Sequence, residues 1–285
     1  MPCKIIDESI ENDVIAAIIR LKSSRNIIAN VTNTVSQNLV ANVELALGVS
    51  PIMFNMPDEA KEIVSISSAA YINLGTVIPI YEQTIPSMLI SLKNNKLPWV
   101  LDPVAVGFGK LRNKLFLHML ETKCFPSVIR GNATEIITLA NLWSLTQNQI
   151  LITSGVDTIN TTEEAESAAI SLSLFTNATI AVSGEVDFIT NGEKHFHLYG
   201  GSIMMEQVTG MGCSLGGAIA AFLTVTSPLY AAIAASMIYK IAGKISATNS
   251  QGLGDFVSNF HNLINKIGKT EILENKVLTN NKLNV

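Results

Sequence analysis

An α/β fold, with a mostly parallel sheet covered by helices on both faces, is what this sequence predicts. Three observations lead there. Short apolar runs rich in β-branched residues alternate with longer helical patterns along the whole chain. The runs are apolar at nearly every position instead of every second one, as in strands buried on both faces. Hydrophobic residues make up 48% of 285 residues, enough for a large core and too much for disorder.

The elements follow in order. Residues 12–22 read as an amphipathic helix and 26–31 as a strand. Residues 36–47 form a helix that Gly48 stops, and Pro57-Asp58-Glu59 opens another, because proline suits a first turn and acids suit its dipole. Strands are predicted at 70–74, at 99–101 ending in Asp102, at 127–129 ending in Arg130, at 150–153 and at 178–183. Asn191-Gly192 marks a hairpin turn between 188–190 and 196–198. Helices follow at 212–225, 229–247 and 255–267. The apolar stretch 215–245 is broken by Ser227-Pro228 and carries Lys240 and Lys244, so it reads as two buried helices and not as a membrane span. No repeat or long linker appears, and one domain over 1–285 is expected.

A net charge of -4, with 15% charged residues and no basic stripe, argues against a nucleic-acid partner. Three cysteines, Cys3, Cys124 and Cys213, cannot all pair within one chain and none has CxxC spacing. With no signal-peptide pattern at the start, a reduced cytoplasmic setting is expected.

In such a sheet, ligands lie beyond the carboxyl ends of the strands. That rule selects Asn33, Gly75-Thr76, Asp102-Pro103, Arg130-Gly131-Asn132 and Ser183-Gly184. The segment 208–218, VTGMGCSLGGA, adds two glycines just before a helix. Backbone N–H groups of Gly210 to Cys213 can turn toward an anion at that helix start, where a thiolate of Cys213 is also favoured. Asp102 at a strand end can reach a magnesium ion, against the plainer reading of a turn aspartate. Glu135 stands three residues after Asn132, which is capping-box spacing, and Arg130 at a strand end suits phosphate oxygens. An arginine with two acids on one sheet edge suits Mg-nucleotide better than capping alone. The histidines, His195 and His197 included, lack ligand-spaced partners and read as surface or packing residues. Met53 taken alone reads as packing.

Taken together, VTNTVSQNLVANVELALGVSPIMF, INLGT, VLDPVAVG, VIRGNATEI, IAVSGEVDFITNG, VTGMGCSLGGAIAAF and the late GLGDF resemble, in order, the hydroxyethylthiazole kinase family. The resemblance implies a ribokinase-like fold and ATP-dependent phosphorylation of a thiazole alcohol, with Mg2+, for thiamine synthesis or salvage. It implies that the backbone at Met53 and Gly210 touches the alcohol and that Arg130 and Ser183 contact ATP. Asn33, Asp102 and Glu135 then surround magnesium and phosphates. The loop through Gly212 cradles the transferring group, and Cys213 stands as catalytic base. It also implies a homotrimer with sites at subunit boundaries. The sequence departs from the family pattern at Met211, where threonine is usual, at Ala105-Val106, where glycines are usual, and at Leu253, where proline is usual. A hydroxymethylpyrimidine kinase and a catalytically silent thiazole-binding protein are the alternatives. Against the first, Asn33 and the segment 50–53 stand where that family has a glycine-rich turn. Against the second stands the full set Asp102, Arg130, Glu135 and Cys213.

Overall fold

A computed structural model describes residues 8–146, 161–275 and 277. The elements run α1 (Glu8–Ser23), β1 (Ile27–Val31), α2 (Gln37–Ala46), β2 (Ser50–Met53), α3 (Ala60–Ile66), β3 (Ala69–Asn73), α4 (Tyr81–Asn95), β4 (Trp99–Asp102), α5 (Lys110–Glu121), β5 (Val128–Asn132) and α6 (Ala133–Leu142). After them come α7 (Thr162–Thr176), β6 (Thr179–Ser183), β7 (Asp187–Thr190), β8 (His195–Leu198), a single 3-10 turn at Ile203–Met205, α8 (Met211–Leu223), α9 (Pro228–Thr248), α10 (Leu253–Lys266) and α11 (Lys269–Glu274).

The strands join one eight-stranded sheet in the order β2-β1-β3-β4-β5-β6-β7-β8. Pairing is parallel from β2 through β6 and antiparallel from β6 to β8. The predicted alternation, the five strand runs within the described residues and the hairpin at Asn191-Gly192 are all present. The expected strand at 150–153 lies outside the described residues.

Side chains alternate across the central strands and feed two cores. Ile28, Tyr71, Val100 and Val128 pack under α1, α2, α8, α9 and α10. Ala29, Ile72, Leu101 and Ile129 pack under the helices from α3 to α7. Both faces are therefore dry, which explains why the strands read as unbroken apolar runs. The stretch 211–248 does divide at Ser227-Pro228 into α8 and α9, with Pro228 at the first helical position.

Strand β2 departs from the expectation. Segment 50–53 read as chain following a helix, and it is instead an edge strand paired to β1 alone. A proline is tolerated only in such a place, because Pro51 has no N–H to give to a second neighbour. With β2 outside β1 and β3 inside it, the order in which strands are added to the sheet reverses between β1 and β3. That reversal opens a crevice at the carboxyl ends of those strands.

Candidate active site

The crevice is built from strand ends on one side and the start of α8 on the other. Asp102 closes β4 and is fully buried, next to Asn73 in register on β3. Its Oδ2 accepts from Asn73 Nδ2 (3.1 Å) and from an Arg130 guanidinium nitrogen (3.3 Å), and the Tyr71 hydroxyl lies 3.0 Å away. Its Oδ1 is buried with no protein partner among the described residues. Burial pushes the Asp102 carboxyl up, while Arg130 and the hydrogen bonds from Tyr71 and Asn73 pull it back.

Arg130, on β5, bonds both Asp102 and the hydroxyl of Ser183 at the end of β6. Burial works against its charge, but Asp102 and Glu135 outweigh burial and raise its pKa. The guanidinium lies against α8 where a side chain is missing. A Cβ on Gly212 would stand 2.6 Å from one of its nitrogens.

Glu135 caps its own helix. Asn132 and Glu135 form the full capping box, with Asn132 N–H donating to Glu135 Oε2 at 2.8 Å. The same carboxylate takes a weaker bond from the Ala105 N–H, 3.4 Å away in the loop after Asp102. Burial, then the negative charge of Asp102, lifts the Glu135 pKa to about 7. Capping and membership of the acidic cluster are thus both true of it. Ala105 has a left-handed backbone (φ 56°), the conformation that favours the glycine usual at this point of the motif.

Cys213 sits in the first turn of α8, partly exposed. Asn33, just beyond β1, donates to its sulfur at 3.3 Å. Burial and the Asp102 carboxylate push the thiol above its ordinary value, against smaller opposite effects from Ser36, Arg130 and Asn73. The expected thiolate is therefore corrected. The helix start does not overcome burial and a nearby anion, and in the free protein Cys213 is a neutral thiol.

Gly210 caps α8 with φ 88°, and a Cβ there would meet Ser36 Cβ at 2.8 Å. Both the left-handed backbone and the close approach to α2 require glycine. Met53, at the end of β2, is partly buried and packs on the core under α8.

The structure thus brings Asp102, Arg130, Glu135, Ser183, Asn33, Gly212 and Cys213 into one connected cluster, with Gly210 opening the same helix. Sequence reasoning missed Tyr71 and Asn73, which lie inside β3 and not after it. Tyr71 also reaches the Cys213 carbonyl oxygen, at 2.7 Å, so it bridges strand end and helix start. Lys240 was missed too. Buried on α9, it donates to the Gly184 and Glu185 carbonyls (2.7 and 2.9 Å) and pairs with Asp187 at 3.1 Å, holding the turn that follows Ser183. Its only sequence signal is a lysine inside an apolar helix.

Among the described residues no cluster of three His, Cys, Asp or Glu side chains forms a closed metal cage. The set present suits magnesium all the same, since that ion is held by one or two carboxylates, with waters and substrate phosphates completing its shell. The partnerless Asp102 Oδ1 is the oxygen such an ion would meet.

Comparisons with known proteins agree with this geometry. The profile of the Hydroxyethylthiazole kinase family matches residues 18–270. A hydroxyethylthiazole kinase of Bifidobacterium longum (strain DJO10A) is 35% identical over 291 residues, covering 95% of this chain and 92% of that protein. The structure of a hydroxyethylthiazole kinase protein from Pyrococcus horikoshii OT3 superposes with a TM-score of 0.83 at 28% identity, covering 95% of this chain and 99% of that one. A ribokinase-like superfamily protein from Enterococcus faecalis V583 superposes with a TM-score of 0.58 at 12% identity, covering 93% and 92%, a likeness of fold alone. With a family match over residues 18–270 and relatives of this identity along nearly its whole length, the chain belongs to the hydroxyethylthiazole kinase family.

Proposed function

We propose that this chain transfers the γ-phosphoryl group of ATP to the hydroxyl of hydroxyethylthiazole, as one kinase domain working in the cytoplasm on a thiamine precursor. The observation that carries the reading is the meeting of Asp102, Arg130 and Cys213 at the start of α8, beyond the carboxyl ends of parallel strands. The family supplies the substrate.

In this reading Arg130 and Ser183 bind the nucleotide phosphates by charge-assisted hydrogen bonds. Asp102 and Glu135 are the residues that would hold Mg2+, which would supply positive charge against the phosphates. In the loop from Gly210 to Cys213 the Met211 N–H is taken by the Val208 carbonyl (3.4 Å), and the other backbone N–H groups meet the transferring group, where negative charge accumulates. The backbone at Met53 and Gly210 orients the alcohol. Asn33 borders the phosphates through its bond to Cys213. Cys213 takes the alcohol proton, and because its thiol is neutral in the free protein, the basic form is a minority and turnover is slow.

The reading includes a homotrimer. It is supported by exposed Val35, Leu45, Met56 and Ile66, which lie on or beside α2, β2 and α3 at the open edge of the sheet. Light scattering should return three times the 30.6 kDa chain mass; a fully active monomer would refute the trimer. No helix among the described residues is long and apolar enough to cross a membrane.

The deciding assay is ADP release from Mg-ATP with hydroxyethylthiazole and, separately, with hydroxymethylpyrimidine. Release with the thiazole and not the pyrimidine is expected. The reverse pattern, or thiazole binding without any release, overturns the proposal.

A further inference from the structure

Two buried asparagines stand between the acid at the strand end and the cysteine at the helix start, and neither has a hydrogen bond to spare. Asn33 Oδ1 accepts from the backbone N–H groups of Val35 (3.1 Å) and Ser36 (3.0 Å). Those partners can only donate, so the orientation of this amide is fixed. Its Nδ2 must then face the other way, toward Cys213 Sγ (3.3 Å) and Asn73 Oδ1 (2.8 Å). Asn73 is fixed by the same logic. Its Oδ1 accepts from Asn33 Nδ2 and from the Gly75 N–H at 3.0 Å, and its Nδ2 donates to the Tyr71 hydroxyl at 2.9 Å and to Asp102 Oδ2 at 3.1 Å. Both amides are buried, with Asn73 wholly inaccessible.

We infer that Asn73 is a positioning residue that sets the sulfur of Cys213 through Asn33 and ties its place to that of Asp102. The inference rests on the proposed phosphoryl transfer for its functional meaning, but its geometry stands apart from that reading. Asn33 is a short side chain beyond a strand end. Its backbone partners hold one end of its amide, and only Asn73 sets the angle of the N–H pair. Gly75 leaves the Asn33 amide its room on the other side, since a Cβ there would lie 3.0 Å from Asn33 Nδ2. Without Asn73 the Asn33 amide stays anchored through Oδ1 but loses the shorter of its two Nδ2 bonds, so it can tilt about its last bond and shift the N–H that meets the sulfur. A base displaced by an ångström costs about 10²-fold in rate. The thiazole contacts proposed above come from other residues, so the Michaelis constant for thiazole should hold, whereas that for ATP can move with Asp102.

The test uses Asn73→Ala in the full chain, alone and combined with Cys213→Ala. Alone, kcat is expected to fall about 10²-fold with KM for thiazole nearly unchanged. In the Cys213→Ala background the same change should cost less than about 3-fold, because the sulfur it positions is already gone. In crystals of the single variant, the Asn33 amide should have turned off the sulfur. If Asn73→Ala does not fold, Asn73→Ser is measured in its place. An Asn33 amide still on the sulfur overturns the inference, as does an equal loss in both backgrounds, which would place the effect on Asp102 alone. Should the wild-type protein release no ADP with thiazole, the proposed function fails, and the crystal structure of the variant still decides this inference.

Discussion

Gly212 is the residue whose replacement says most about the site. Helix propensity alone favours alanine there by about 1 kcal/mol. A methyl group would, however, stand 2.6 and 2.7 Å from two nitrogens of the Arg130 guanidinium. The end of a long side chain can withdraw, so the fold survives, but Arg130 gives up Asp102 and Ser183. Hydrogen bonds to a charged group are worth about 1.5–3 kcal/mol each. If that arginine meets the phosphates of ATP, Gly212→Ala should lower kcat/KM for ATP by about 10–100-fold, at 1.4 kcal/mol per decade. Stability should fall as well, because a propensity gain of about 1 kcal/mol offsets only part of the loss of two such bonds. Gly216, one turn along α8, provides the contrast. A Cβ there would meet the Tyr71 ring at 2.5 Å, and that ring is fully buried with nowhere to move. Gly216→Ala should therefore cost about 1–3 kcal/mol of stability by overpacking. Urea denaturation and steady-state ADP release on both variants, with Arg130→Ala beside them, separate the two effects. Wild-type kcat/KM for ATP in Gly212→Ala, with Arg130 displaced in its crystals, would refute the placement of Arg130 on the nucleotide.

Further expectations follow from buried charges. Lys240→Met leaves the carboxylate of Asp187 buried without its cation and should cost about 3–5 kcal/mol in urea denaturation; Lys240→Met with Asp187→Asn should recover part of it. Glu44, wholly buried on α2 with one bond from Asn30 at 3.0 Å, has its carboxyl pushed well up by burial. A raised acid binds its proton more tightly in the folded state, so its contribution is fully present below the unfolded carboxylate pKa and is lost as pH rises toward the folded value. Glu44→Gln should flatten that fall and be the more stable protein at neutral pH; matching melting temperatures from acid to neutral pH would refute this. Cys213→Ala should lower turnover by about 10²–10⁴-fold while thiazole binding, measured by calorimetry, persists.

Much of the site was legible because chemistry at a parallel sheet collects just past the strand ends. Asn33, Asp102, Arg130 and Ser183 were selected on that rule alone, and the glycines before α8 announced themselves by spacing. Tyr71 and Asn73 escaped because they lie within a strand, where the pattern speaks of burial and not of partners. Lys240 escaped because a lysine in an apolar helix reads as a residue that reaches for solvent, and its three acceptors come from a turn more than fifty residues away. Strand β2 was hidden by Pro51. Helix α4 carries Pro86 in its interior, which reads as a helix break, and α7 buries three alanines with Leu172, Ser173 and Thr176, so its apolar stripe is weak. The thiolate expected of Cys213 failed on quantities that spacing cannot carry, the burial of its sulfur and then the proximity of Asp102.

The bond between Asn33 and Cys213 spans 180 residues of chain, and this sets the order in which the protein can be made. When synthesis has passed β5 and α6, one face of the sheet has all its helices but α7, while the other still shows Tyr71, Val100 and Val128 to water, waiting for α8 and α9. The roughly one hundred residues still to come take about 5–20 s on the ribosome. For that interval the nascent chain carries a sticky, half-clad sheet, and α1, which docks on α9, has no partner. A chain cut short before α8 should accordingly be a client for chaperones and proteases, and not a smaller enzyme.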